Sequence, residues 1–72
     1  MSDDKIAKVV HCFNRQDFSA AFVVCSEAIK ADANDWNAIY LAGSSLRFQG
    51  RSAEAITYYE RALKLNSDSP PI

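Results

Sequence analysis

The sequence predicts an all-α fold built from two antiparallel helix-turn-helix hairpins, which makes four helices. Three observations predict it: few helix-breaking residues, apolar residues that recur with helical spacing, and an internal repeat that relates the second half to the first. The 72 residues are 49% hydrophobic and 24% charged, and the two prolines stand together near the C-terminus. This composition is globular, and the length is enough for one small domain.

The first hairpin is predicted in the N-terminal half. Its first helix runs from about Asp3 to Arg15, and Ser2 can cap it. Apolar residues of this helix recur at i, i+3, i+4 and i+7, namely Ile6, Val9, Val10 and Phe13. The second helix runs from about Phe18 to Ala31, with Asp17 as a candidate cap. The apolar stripe of the second helix is Phe18, Ala21, Phe22, Cys25, Ala28 and Ile29.

The second hairpin repeats this plan. Its first helix is predicted from about Trp36 to Phe48, with Asn34 or Asp35 as its cap. Gly50 then supplies the turn, because glycine tolerates the left-handed backbone that ends many helices. The last helix runs from about Ser52 to Leu65. Its apolar stripe is Ala55, Ile56, Tyr59, Ala62 and Leu63.

The two halves match each other at a constant offset of 34. Residue class agrees between Ala21 and Ala55, Phe22 and Ile56, Cys25 and Tyr59, Ala28 and Ala62, and Ile29 and Leu63. A period of 34 built from two helices is typical of tetratricopeptide repeats. The second half carries small, large and turn residues where that repeat has them, namely Gly43, Leu46, Gly50, Ala55, Tyr59 and Ala62. The chain therefore resembles the tetratricopeptide repeat family.

The resemblance implies one domain over residues 1–69, stacked as a short right-handed superhelix of two repeats. The first repeat would cover about residues 2–35 and the second about residues 36–69. Residues 66–72 lack periodicity and contain both prolines, so we expect a C-terminal tail or a linker there.

The first helix departs from this period. Its apolar stripe matches the stripe of the third helix, Ile39, Ala42, Gly43 and Leu46, at an offset of 33. We therefore expect the turn around Arg15 to Asp17 to be one residue shorter than its counterpart. Val10 would then take the place of the small Gly43 and hold its helix pair slightly further apart.

The resemblance also implies a binding surface. Proteins of this family hold extended peptides on a concave side that is lined by the first helix of each hairpin. With the shorter first turn, that groove takes Asp4, Ala7, His11 and Asn14 from the first hairpin, and Asn37, Tyr40, Ser44, Arg47 and Phe48 from the second. Tyr40 is the most suggestive residue because it is a rigid aromatic on an otherwise polar face. We expect a non-enzymatic module with a peptide or protein partner.

One partner known for this family is not expected. Some members clamp the C-terminal carboxylate of heat-shock chaperones with Lys and Asn side chains. The matching positions here are Ala7, His11 and Leu41, or Ile6, Val10 and Leu41 if the two turns have equal length. Neither set reproduces the clamp, so we do not expect a heat-shock chaperone tail as the ligand.

Few residues indicate catalysis, a cofactor or a metal. His11 and Cys12 are adjacent, but neighbouring helical residues point about 100° apart. Zinc binding by His11, Cys12 and Cys25 would need a fourth ligand, and none is evident. The two cysteines instead indicate free thiols in a reducing compartment. We expect no enzymatic activity, no cofactor and no metal.

Charge and hydropathy exclude further classes of partner. The net charge is −1 without a basic stripe, so nucleic acid is not expected. The N-terminus lacks the basic start and apolar run of a signal peptide, and no apolar stretch approaches the ~18 residues that a membrane span needs. We expect a cytoplasmic protein without a membrane partner.

Two alternative functions remain open. We expect the apolar residues of the last helix to lack a following hairpin that covers them, and terminal repeats normally present a polar face or a cap. The predicted uncovered residues are Tyr58, Tyr59, Ala62 and Leu65. A self-assembly module, for example a homodimer formed through this helix, is therefore the second hypothesis. The third is an N-terminal accessory domain of a larger enzyme.

Overall fold

The structure, a computed structural model, describes residues 3–65 and contains four helices in that range. These are α1 (Asp3–Asn14), α2 (Phe18–Ala31), α3 (Trp36–Phe48) and α4 (Ser52–Leu65). The described residues form no strand, so the predicted all-α hairpin fold is confirmed. Only the end of α1 differs, by one residue. The predicted cap Ser2 and the predicted tail over 66–72 lie outside the described residues, and the repeat boundaries stay predictions.

Aspartate side chains begin two of the helices. The carboxylate of Asp17 accepts a hydrogen bond from the backbone N–H of Ala20 at 3.3 Å, and that of Asp35 accepts one from Ala38 at 3.3 Å. The first N–H groups of a helix have no partner inside it, so a carboxylate there satisfies a donor and favours the positive end of the helix dipole. Asp35, rather than Asn34, is the cap of α3.

Each helix packs against its neighbour in sequence, α1 on α2, α2 on α3, and α3 on α4. Helix α3 therefore has neighbours on two sides, and seven of its residues are buried. Helix α1 packs along its length on α2 and meets α3 where Phe13 contacts Phe48, and Val9 is its single buried residue. The core around the first hairpin contains Val9, Ala21, Cys25 and Ala42, so it joins α1, α2 and α3.

The two inter-helix turns have the same length and hydrogen bonding. The backbone N–H of Asp17 donates to Cys12 O at 2.8 Å, and that of Arg51 donates to Leu46 O at 2.9 Å. The donors of these two bonds are related by the offset of 34, and so are the acceptors. The left-handed residue of each turn follows the same offset, with φ of 59° at Gln16 and 81° at Gly50. The prediction of a shorter first turn is therefore wrong.

Burial shows the true match between the first helices of the two hairpins. With an offset of 34, Val9 corresponds to Gly43, and Val9 has no exposed surface. Val10, the residue predicted to match Gly43, is 47% exposed. The stripe of α1 was misleading because Lys5 and Lys8 stand where α3 has buried Ile39 and Ala42. An apolar stripe reports which side of a helix is covered, and α1 is covered on one side fewer than α3.

Candidate functional site

The predicted groove residues of the second hairpin lie on α3, but they differ in how available they are. Ser44 is buried, and its Oγ accepts a hydrogen bond from the Tyr59 hydroxyl at 3.2 Å. The ring of Tyr40 is half-buried, with its centroid 5.5 Å from that of Tyr59. Arg47 and Phe48 are exposed, and Phe48 is 59% accessible. The outer end of this surface is thus the more accessible one.

The first hairpin contributes different residues from those predicted. An offset of 34 from the α3 set gives Asp3, Ile6, Val10, Phe13 and Asn14. Only Asn14 was also predicted from the sequence. The other three predicted residues correspond to α3 residues that face the first hairpin: Asp4 to Ala38, Ala7 to Leu41, and His11 to Ser45.

Those three α1 residues therefore lie on the side of α1 that faces away from α2 and α3. On α3 the matching side is covered, since Ala38 and Ser45 are buried and Leu41 packs against the core of the first hairpin. On α1 it is exposed at Asp4 and His11. We call this polar surface, which consists of Asp4, Ala7, Lys8 and His11, the N-terminal end face.

The corrected groove side is more apolar than the predicted one. Val10 and Phe13 are one turn apart on α1, and the ring of Phe13 lies 6.0 Å from that of Phe48. Phe18 stacks on Phe48 at 4.9 Å and completes a three-ring cluster that joins the two hairpins. Ile6, Val10 and Leu41 stand at the positions of the chaperone clamp, and their apolar side chains have no hydrogen-bond donor for a carboxylate.

The thiols are placed in the core. Cys25 has no exposed surface, and burial, helped by the nearby Asp35 and Cys12, raises the pKa of the Cys25 thiol to about 12. Cys12 is half-buried against the same core. Within residues 3–65 no group of three His, Cys, Asp or Glu side chains is placed to hold a metal ion. None of the helices in that range is long and apolar enough to span a bilayer.

The four residues predicted as an oligomer face on α4 lie in four different places. Ala62 is fully buried and presents no surface to a partner. The ring of Tyr58 turns back to Phe22 of α2 at 6.0 Å. Tyr59 packs on α3, where its ring would touch any side chain added at Gly43. Leu65 is exposed beside the α2–α3 loop, where it lines a depression of about 310 Å³ with Ala33 and Asn34 among others.

The open side of the second hairpin carries other residues, Ile56 and Leu63, which are 55% and 49% exposed. Ser52, Ile56, Tyr59 and Leu63 recur at helical spacing along α4, and Arg47 of α3 borders them. Arg47, Ser52, Ile56 and Tyr59 enclose a depression of about 180 Å³. We call these five residues the C-terminal end face. A sequence signal for it existed, because Ile56 and Leu63 pair with Phe22 and Ile29 at an offset of 34.

Comparison with known proteins agrees with this architecture. The sequence profile described as tetratricopeptide repeat matches residues 37–69, which cover the second hairpin. Anaphase-promoting complex subunit 7 of Homo sapiens is 34% identical over 55 residues, which are 76% of this chain and 10% of that protein, and the Mus musculus protein matches to the same extent. The chain thus spans about a tenth of the length of these curated relatives. No solved structure matches the chain significantly.

Proposed function

We infer the function from one premise: the chain belongs to the tetratricopeptide repeat family. Repeats of this family serve protein–protein interaction through the surfaces of stacked hairpins. We propose that this chain is a non-enzymatic module that binds an extended segment of a partner protein along the groove side of α1 and α3.

The observation that carries this proposal is the apolar surface that spans the two hairpins. Val10 and Phe48 are 47% and 59% exposed although both are large and apolar. Phe48 is fixed by its contacts with Phe13 and Phe18, so it offers a rigid surface at little cost in conformational entropy. Half-buried Tyr40 continues this surface along α3. Rigid aromatic side chains of this kind are favoured at the energetic centres of interfaces.

The relatives support a protein as the partner. Their name describes a subunit of a complex, and such a subunit contacts other proteins. The aligned part is 10% of those proteins, so the particular partners of the relatives are not transferred to this chain. A cytoplasmic location remains a prediction from the sequence.

The experiment compares adjacent residues that belong to different surfaces. Peptides selected on the wild-type chain from a displayed random library serve as probes, and calorimetry measures their affinity for variants. Tyr40→Ala and Val10→Ala should each weaken binding by more than about 1 kcal/mol. His11→Ala, on the N-terminal end face, and Thr57→Ala, which is exposed on α4, should change it by less than about 0.5 kcal/mol.

Melting temperatures of the same variants separate lost binding from lost folding. Equal losses for Val10→Ala and His11→Ala, in proteins that remain folded, would reject the groove assignment.

The alternative, self-assembly through α4, has one observation in its favour, which is the exposure of Ile56 and Leu63. A head-to-tail stack is disfavoured. It would place the exposed Lys8 and His11 of one copy against this apolar surface, and burying unpaired polar groups costs free energy. Only a face-to-face dimer remains. Sedimentation of the dilute chain tests it, and a monomer would end this alternative. No described residue specifically favours the accessory-domain hypothesis.

A further inference from the structure

The internal repeat shows which way two arginines near the groove face. Arg15 corresponds to Gln49 at the offset of 34. The Gln49 side chain reaches back to the first hairpin, where its Nε2 donates a hydrogen bond to the backbone oxygen of Phe18 at 3.5 Å. Because the two hairpins share one backbone plan, Arg15 lies on the side of the first hairpin that faces away from the second.

The second arginine faces the opposite way. Arg47 corresponds to Phe13, whose ring lies 6.0 Å from that of Phe48 in the second hairpin. This position of the repeat therefore points from its own hairpin towards the C-terminal side. It follows that Arg47 lies on the side of the second hairpin that faces away from the first, where it lines a depression with Ile56.

Apolar side chains lie between the two arginines. Phe48 stacks on Phe18 at 4.9 Å and is still 59% exposed, while Val10, one turn before Asn14, is 47% exposed. These side chains lie near the places where α1 and α3 run into their turns. We call this surface the turn end of the groove, and it consists of Val10, Phe13, Arg15, Arg47 and Phe48.

The charges of the two arginines are not neutralised by any residue in the range 3–65. Arg15 and Arg47 are exposed, and neither forms an ion pair or a side-chain hydrogen bond in that range. The acidic residues of the two turns are already engaged, since Asp17 caps α2 and Glu54 pairs with Arg51 at 2.9 Å. The turn end of the groove thus presents an apolar surface with a positive charge on either side. Complementary charge sets the choice and orientation of a partner, so this surface favours an acidic one.

The two guanidinium groups are too far apart to bind one anion together. Helices that meet have axes about 8–10 Å apart, and each helix with its side chains is about 10–12 Å wide, so arginines on the outer sides of two such helices are roughly 20 Å apart. Each guanidinium can instead bind its own carboxylate, often through two parallel hydrogen bonds. In an extended chain, at about 3.3 Å per residue, the two carboxylates would be about six residues apart.

We propose that the turn end of the groove binds an acidic, extended segment of a partner protein, with apolar side chains over Val10 and Phe48 and one carboxylate at each of the two arginines. This inference rests on the proposed groove function and adds the charge and the spacing of its ligand. Alternate side chains of an extended chain face the same side, so carboxylates six residues apart share a face with the apolar side chains between them. Such a segment differs from a heat-shock chaperone tail, because its carboxylates belong to side chains and need no chain terminus.

Three synthetic peptides test the proposal on the full chain. The probe is acetyl-Glu-Ser-Leu-Ser-Leu-Ser-Glu-amide, and the matched controls carry Gln or Lys in place of both Glu residues. Binding is followed by NMR of the labelled chain, which locates weak contacts, at peptide concentrations up to about 1 mM. At about 0.1 M salt we expect shifts at Val10, Tyr40 and Phe48, and about five-fold tighter binding of the Glu peptide than of the Gln peptide. This difference should fall below about two-fold at about 1 M salt, because salt screens exposed charges.

Variants of the chain complete the test. Arg15→Glu and Arg47→Glu should each weaken binding of the Glu peptide about three-fold or more and change that of the Gln peptide by less than about two-fold. With both changes together, the Lys peptide should bind more tightly than the Glu peptide. Lys8→Glu makes the same change of charge on the N-terminal end face, and it should change the affinity for each peptide by less than about two-fold. Melting temperatures show whether the variants remain folded.

The proposal is overturned if the Glu peptide does not bind, if the Glu and Lys peptides bind equally, or if either arginine variant binds the Glu peptide as tightly as wild type. Shifts at Ile56 and Leu63 in place of Val10 and Phe48 would also overturn it. So would a dimer of the chain alone that is lost on Arg47→Glu, because a second copy would then supply the carboxylate. The groove function is tested separately: library peptides that lose affinity on Val10→Ala would support it even if the Glu peptide did not bind.

Discussion

The two hairpins have one backbone plan and two different surroundings. Their turns carry the same hydrogen bonds at matching positions, and Ala21 and Ala55 are buried at matching places. Yet α3 has seven buried residues and α1 has one. The difference comes from position, since α3 packs along its length on both α2 and α4, whereas α1 packs along its length on α2 and meets α3 where Phe13 contacts Phe48. A repeat unit thus specifies its own hairpin, while its neighbours decide which of its surfaces become core.

The same comparison separates the two ends of the molecule. The N-terminal end face is polar, with Asp4, Lys8 and His11 exposed. The C-terminal end face exposes Ile56 and Leu63. Of the two end faces, the C-terminal one thus carries the exposed large apolar side chains.

The largest expected effect is a loss of stability at a buried residue of the third helix, compared with the matched residue of the first helix. Leu46 is 1% exposed, and Leu46→Ala should lower the free energy of unfolding by about 2–5 kcal/mol. Its counterpart Cys12 is half-buried, and Cys12→Ala should cost less than about 1 kcal/mol. Urea unfolding measures both. Similar losses at the two positions would contradict the difference in surroundings.

A smaller loss of stability is expected where the two helices of each hairpin pack against each other. Val9 shares a buried core with the small Cys25 in one hairpin, while Gly43 lies against the large Tyr59 in the other. A Cβ at Gly43 would lie 3.0 Å from Tyr59 Cε1 and 3.2 Å from the backbone oxygen of Ala55. Gly43→Val should therefore cost about 1–3 kcal/mol in urea unfolding.

The double variant Gly43→Val with Tyr59→Cys transplants the pair from the first hairpin. It should lose less stability than the sum of the two single changes, by about 1 kcal/mol. Strict additivity would mean that the two positions do not compensate each other in volume.

The smallest effect concerns the two thiols. Burial raises the pKa of Cys25 to about 12, against 9.0 for an exposed thiol. The folded state therefore keeps a proton that the unfolded state loses, and the stability due to the neutral thiol is complete below pH 9 and is lost as pH rises towards 12. Relative to wild type, the free energy of unfolding of Cys25→Ala should rise by about 1 kcal/mol between pH 8 and pH 10, as measured by urea unfolding.

Cys12→Ala is the control for that pH dependence, because Cys12 is only half-buried. If the free energy of unfolding rose equally for both variants relative to wild type, the burial of Cys25 would not be the source of the pH dependence.

Sequence periodicity was sufficient to predict the helices. The bounds of α2, α3 and α4 and the cap Asp17 follow from local signals, namely apolar spacing and side chains that satisfy the first N–H groups, whereas the structure chose Asp35 over Asn34 as the cap of α3. Gly50 was also predictable, because a left-handed turn residue is a local requirement. These features depend on residues a few positions apart, and such information is present in any short stretch of the chain.

The surfaces were not predictable in the same way. Periodicity placed the apolar stripe of α1 correctly, but aligning that stripe with α3 shifted the groove by one residue, from Val10 to His11. The error arose because Lys5 and Lys8 occupy positions that are core in α3 and outside the core in α1. Similarly, Tyr58 was assigned to the same outer face as Tyr59, whereas the ring of Tyr58 packs on α2 and Tyr59 lines the C-terminal end face.

The sequence by itself thus determined the four helices, their pairing into two hairpins and the family. Only the tertiary structure decided which side of each helix is covered, and so that Val10 and Phe48 stay exposed on the groove side, and Ile56 and Leu63 at the C-terminal end. The physical reason is that helix formation follows local hydrogen bonding and apolar spacing, whereas exposure depends on which neighbouring helix occupies the adjacent space.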